Sequence, residues 1–132
     1  MDRSVRMFVE ELTRASDSES ITFPQVVQSL LAAGVERYHA DLIRSERVYY
    51  MPDGISCAIP AHVVRDIARD FSAAGVEAAV RATQRGDIQY REFCRRIAAA
   101  GCVGYFVTLA GQRAVYYGRT GETHIEYFPG PR

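Results

Sequence analysis

The sequence predicts an α+β protein in which one helix–helix–three-strand unit is written twice in tandem, with helices packed on an antiparallel sheet. Three observations carry this expectation. Sliding the chain against itself by 67 residues gives a gapless match. Within each half, apolar residues pass from helical spacing to strict alternation. Gly- and Asp-containing turns then punctuate the alternating stretches.

The match is dense. Ile21, Ala32, Ala33, Gly34, Tyr38, Leu42, Val48, Tyr49, Tyr50 and Gly54 recur as Ile88, Ala99, Ala100, Gly101, Tyr105, Leu109, Val115, Tyr116, Tyr117 and Gly121. Val9, Glu10, Arg14 and Ala15 recur as Val76, Glu77, Arg81 and Ala82. These are 14 identities over the 52 positions from 9 to 60, several times the chance level. The expected organisation is a single domain over 1–132 with pseudo-twofold symmetry. Its first copy is 1–60, its second copy is 61–128, and the Pro/Gly-rich tail 129–132 is expected to fray.

Taken in order, the first helix is expected over 3–15, with a longer counterpart over 61–84 broken near Ser72–Gly75. The second starts at Phe23, where Thr22 and Gln25 suit a capping box, and its counterpart starts at Tyr90. Phe23, Val26, Val27, Leu30 and Leu31 share one helical face, and Gly34 and Gly101 suit the C-terminal stops. Strands follow over 35–43, 46–51 and 55–59, then over 102–110, 112–117 and 123–128. Asp53-Gly54 and Gly111-Gln112 read as two-residue hairpin turns.

With two-residue turns throughout, alternation assigns each side chain to a face. Tyr38, Ala40, Leu42, Tyr49 and Ala58, with Tyr105, Val107, Leu109, Tyr116 and Ile125, form the face expected under the helices. The opposite face carries His39, Asp41, Val48, Tyr50 and Cys57, with Phe106, Thr108, Val115, Tyr117, His124 and Glu126. On that register His39 lies across from Tyr50, and Tyr117 across from His124. Imidazole, phenol and carboxylate groups within mutual reach can bind a polar ligand or move a proton. His39, Asp41, Tyr50, Tyr117 and His124 are therefore the candidate site residues. The copies differ there, His39 against Phe106 and Cys57 against His124, as one asymmetric site between similar halves requires. A bland reading competes, in which His-x-Asp is a half-exposed hydrogen-bonded pair and the tyrosines are packing residues with wet tips.

Composition narrows the function classes. Sixteen bases, all arginine, balance sixteen acids. Residues 1–60 hold 6 Arg against 9 acids and 61–132 hold 10 against 7, so the halves carry −3 and +3. Opposite halves suit mutual attraction or a head-to-tail partner, a homodimer among them, and no dense basic patch marks a nucleic-acid binder. No apolar run reaches a membrane span, and the N-terminus does not read as a signal peptide, so a soluble cytoplasmic protein is expected. Three cysteines, Cys57, Cys94 and Cys102, lack CxxC spacing and read as small buried hydrophobes in a reducing compartment.

Other motifs are missing or fail. There is no GxSxG, GxGxxG, phosphate loop or HExxH. Gly86–Phe93 imitates the second half of a calcium loop, but Arg81, Thr83 and Arg85 stand where oxygen ligands are needed. His62 is read as a solvated helix-opening residue, and Arg91, Arg95 and Arg96 with Glu92 as a solvated helix face. No metal and no cofactor are expected.

The phrases Ala33–Asp41, Val48–Gly54, Ala100–Phe106 and Gly121–Glu126 resemble a bacterial family of unknown function, the YbcV-like proteins. Some relatives bear a phage-envelope label, so the resemblance implies a mobile-element history. It supplies no catalytic residues. The expected function is a non-enzymatic binding or interaction module whose mixed strand face meets a small polar ligand or a partner protein. The competing expectation is an enzyme with His39 as general base, oriented by Asp41 beside Tyr50.

Overall fold

The computed structural model describes residues 1–128; the tail expected to fray lies outside the described residues. Helices α1 (Arg3–Asp17) and α2 (Phe23–Ala32) precede strands β1 (Arg37–Asp41), β2 (Glu46–Tyr50) and β3 (Ser56–Pro60). Helices α3 (Ala73–Gln84) and α4 (Tyr90–Ala99) precede β4 (Gly104–Thr108), β5 (Arg113–Tyr117) and β6 (Thr123–Tyr127). At the offset of 67, α2 and all three strands of the first copy coincide with their counterparts to the residue. The internal duplication is borne out.

One six-stranded antiparallel sheet results, in the order β3-β2-β1-β4-β5-β6. The first strands of the two copies meet at its centre, where His39 pairs with Phe106, Tyr38 with Val107 and Ala40 with Tyr105. Because 39 and 106 are themselves equivalent positions, the pseudo-twofold axis passes through that pair. Tyr38, Tyr49, Tyr105 and Tyr116 cluster beside the axis on the helix side, with neighbouring rings 5.2–6.5 Å apart. Thr13 of α1 shares a 2.8 Å hydrogen bond with the Tyr49 hydroxyl, and Phe93 of α4 packs edge-on against Tyr105 and Tyr116. Tyr38 and Tyr49 are the largest fully buried side chains of the core.

Two expectations about the chain fail. The predicted helix over 61–84 begins only at Ala73, where Ser72 caps it by accepting from the Gly75 N–H at 3.0 Å. Residues 61–72 instead form an irregular strap whose backbone bonds are spent elsewhere. Ala61 N donates to Ser45 O, Ala68 N to Ala98 O and Ser72 N to Ala100 O. With those donors committed outward, no helical ladder can form.

The β2–β3 turn is also not a two-residue turn. Gly54 N donates to Met51 O and Met51 N to Ile55 O, with Gly54 at φ +90. Pro52-Asp53-Gly54 thus make a three-residue loop closed by a left-handed glycine. Arg119-Thr120-Gly121 repeat it in the second copy, with Gly121 at φ +86. The extra residue slips β3 and β6 by one and turns every side chain on them over. Cys57 therefore lies in the core, while Ala58 and Ile125 face out. The inner hairpins slip by two residues relative to expectation, which preserves their faces: His39 pairs with Val48, and Tyr50 with Arg37.

Gly54→Ala is expected to lower the unfolding free energy by about 1 kcal/mol, the cost of a left-handed conformation for a residue with Cβ. No atom lies within 4 Å of the added Cβ, so packing contributes nothing further. Urea denaturation of the variant measures this.

Candidate functional site

The four helices lie on one face of the sheet, and no described element covers the other. Strand alternation places three rows of side chains on the open face, read straight across six strands. The central row is Ala58, Val48, His39, Phe106, Val115 and Ile125. One flanking row is Ser56, Tyr50, Arg37, Thr108, Arg113 and Tyr127; the other is Pro60, Glu46, Asp41, Gly104, Tyr117 and Thr123. An apolar stripe thus runs between a basic, aromatic edge and an edge holding the two acids.

At the centre of this face, His39 stacks on Phe106 with ring centroids 4.4 Å apart, and its Nε2 lies 2.6 Å from the Tyr117 hydroxyl. Burial pushes the His39 pKa down, against the smaller upward pull of Asp41 and Glu46. Burial also raises the Tyr117 pKa, with Asp41 adding to it. A neutral imidazole and a protonated phenol follow, joined by a hydrogen bond whose direction is set by the imidazole tautomer.

The asymmetry has a simple steric origin. Arg37, opposite Tyr50, stacks its guanidinium 3.9 Å from that ring's centroid. The equivalent residue opposite Tyr117 is Gly104, where an added Cβ would lie 2.5 Å from the Tyr117 hydroxyl. Lacking a side chain, Gly104 lets the Tyr117 ring fold across β4 to reach His39. One copy holds a cation–π pair and the other a phenol–imidazole pair.

The remaining predicted site residues are dispersed. Asp41 does not orient His39: its Oδ1 accepts from the Ile43 and Arg44 backbone N–H groups, both at 3.0 Å, and caps the β1–β2 turn. Tyr50 is on the open face but engaged by Arg37. His124 is on the helix side, turned there by the one-residue slip, and pairs with Tyr116, while Tyr117 pairs with Thr123. It bonds Glu126 at 2.6 Å, and Glu126 also receives Arg81 at 3.0 Å. Glu77, His124 and Glu126 place one ligand atom each within 4.8 Å of one another, the cluster among the described residues that could hold a metal. Arg81 bridges the same carboxylates, so their charge is already compensated from within.

Two groups escaped sequence reasoning. Arg47 is 2% exposed, faces the helices, and has no ion pair among the described residues. Its guanidinium lies 5.3 Å from the Tyr38 ring centroid and 5.0 Å from that of Tyr90, with one 3.3 Å bond to Ser16 Oγ. Its parity on β2, shared with Tyr49, was the available signal. His62, expected to be solvated, is instead held by Asp17, which accepts from both its Nδ1 at 2.8 Å and its backbone N at 3.0 Å. The cysteines are buried and free, with burial pushing Cys94 up to about 12 and Cys102 up to about 11, so these two thiols are poor nucleophiles.

Among comparisons with known proteins, a family model described as "Protein of unknown function (DUF1398)" matches residues 22–126. No curated protein matches the chain.

Gly104→Ala is expected to expel Tyr117 from its place over β4 and to cost about 1–3 kcal/mol, the usual penalty of overpacking. Urea unfolding gives the cost, and loss of the His39–Tyr117 bond is visible in the imidazole nitrogen resonances. A pH effect also follows. Since folding lowers the His39 pKa, the unfolded chain binds more protons between the folded value and about 6.5. Stability from this group is full above that range and is lost as the pH falls through the folded value. His39→Phe, copying Phe106, should lose less stability than the wild type between pH 7.5 and pH 5, measured by parallel denaturant titrations.

Proposed function

The chain belongs to the DUF1398 family of proteins of unknown function, and we propose that it is a non-enzymatic protein-interaction module that uses the open face of its sheet. The observation that carries this reading is the unbroken row Val48, His39, Phe106, Val115 and Ile125, left uncovered and bordered by charge. Six strands of five residues present about 500 Å² on strand spacing and rise. That is below the roughly 800 Å² per partner of a standard protein interface, and it fits one helix better than a whole domain. The occupant is an amphipathic helix of a partner protein. Its apolar stripe lies on the central row, its acidic flank toward Arg37 and Arg113, and its basic flank toward Asp41 and Glu46.

The enzymatic alternative, His39 as general base oriented by Asp41, has less support. Asp41 is occupied by its own turn, and Nε2 of His39 is occupied by Tyr117. A YbcV-like identity with a mobile-element history belongs to our reading, supported by the phrases around Ala33–Asp41 and Gly121–Glu126. So does a reducing, cytoplasmic setting, supported by three free cysteines. No described helix is long and apolar enough to cross a membrane.

Selection of a displayed peptide library against the folded protein tests the proposal. Enriched peptides should share apolar residues at helical spacing with opposite charges on the two flanks. Val115→Asp, at a half-buried position of the central row, should weaken their binding by at least about tenfold. Enrichment without that pattern, or binding indifferent to Val115→Asp, defeats the proposal.

A further inference from the structure

A cleft of about 570 Å³ lies between the irregular strap and the outer flank of α4, lined by His62, Val63, Val64, Arg65, Asp66, Arg91, Arg95 and Ala99. It is separate from the open sheet face and independent of the reading given for that face. Three arginines and a histidine line it against a single acid. Arg95 is bonded to Glu92 at 2.6 Å, whereas Arg91 donates from Nε to the Asp17 carbonyl at 2.7 Å. Val63, Val64 and Ala99 supply an apolar wall.

At its inner end stands His62. Two hydrogen bonds to Asp17 fix the position of the ring and make Nδ1 the donor. Nε2 is out of contact with water, and the ring packs edge-on against Tyr90 with centroids 5.6 Å apart. The ring is therefore a fixed wall at this end of the cleft, and the polar contacts open to a ligand are those of the arginines. The charges of the cleft are also not repeated in the first copy, where Pro24 and Gln28 stand at the positions of Arg91 and Arg95. The shared scaffold therefore does not account for this set of charges.

We propose that the cleft binds a small organic phosphate. Guanidinium groups match phosphate oxygens in geometry and charge, which favours a phosphoryl group over a neutral ligand. The phosphoryl group sits on Arg65 and Arg91, with Arg95 at the rim, and the organic part lies on Val63 and Val64. The cleft volume falls in the range of small-molecule sites.

The test follows the His62 ring resonances and the backbone amides of residues 62–66 by NMR while inorganic phosphate and phenyl phosphate are added separately to the full chain. Saturable shifts confined to the strap, α4 and His62 are expected, with phenyl phosphate binding more tightly. Arg65→Ala, at an exposed position, and Arg91→Lys, which keeps the charge but loses the forked geometry, should each weaken phenyl phosphate by about tenfold. Val115→Asp should leave it unchanged, which separates failure here from failure of the sheet-face reading. Absence of saturable shifts with either probe overturns the proposal. So does binding that survives both arginine substitutions, since that marks general attraction of anions to the surface.

Discussion

The ladder between β1 and β4 is the constraint on which the rest depends. Each copy alone is a three-stranded meander whose first strand would be an open edge, a template for unwanted pairing. Pairing the two edges satisfies both and makes one six-stranded sheet. Its register sets His39 against Phe106, equivalent positions of the duplicated unit, so the twofold relation is imposed by the pairing itself. The four core tyrosines then meet around the axis on the helix side. Shifting this ladder by one residue would put those rings in water and the His39 row in the core.

Symmetry also explains where the molecule became asymmetric. A duplicated fold offers every surface twice, and single sites need substitutions that break the equivalence. Gly104 in place of Arg37 and Phe106 beside His39 convert a paired arrangement into one phenol–imidazole contact. On the helix side, Arg47 stands where the second copy has Ala114. Removing a guanidinium from water without a carboxylate is costly, and the surrounding aromatic faces offset part of that cost. The strap over α4 is a third departure, and it carries the basic cleft.

Much of this was legible in the sequence. The offset of 67, the helix starting at Phe23 with its capping box, and the faces of β1, β2, β4 and β5 follow from period and propensity. The faces of β3 and β6 do not. Asp53-Gly54 signals a turn in either a two- or a three-residue loop, and only the hydrogen bonds of Met51 distinguish them. That one residue moved His124 away from Tyr117 and dissolved half of the predicted cluster. His62 could not be placed because its partner Asp17 is 45 residues away, across a contact that no local pattern encodes.

The most direct check on the central claim is the Hα–Hα nuclear Overhauser effect between β1 and β4. Leu42 N–H donates to Val103 O and Leu109 N–H to Glu36 O, which makes His39/Phe106 a closely spaced pair without mutual hydrogen bonds. A strong effect between the His39 and Phe106 Hα protons is the predicted result. An effect linking His39 Hα to a different β4 residue, or none to β4 at all, would contradict the shared sheet and its axis.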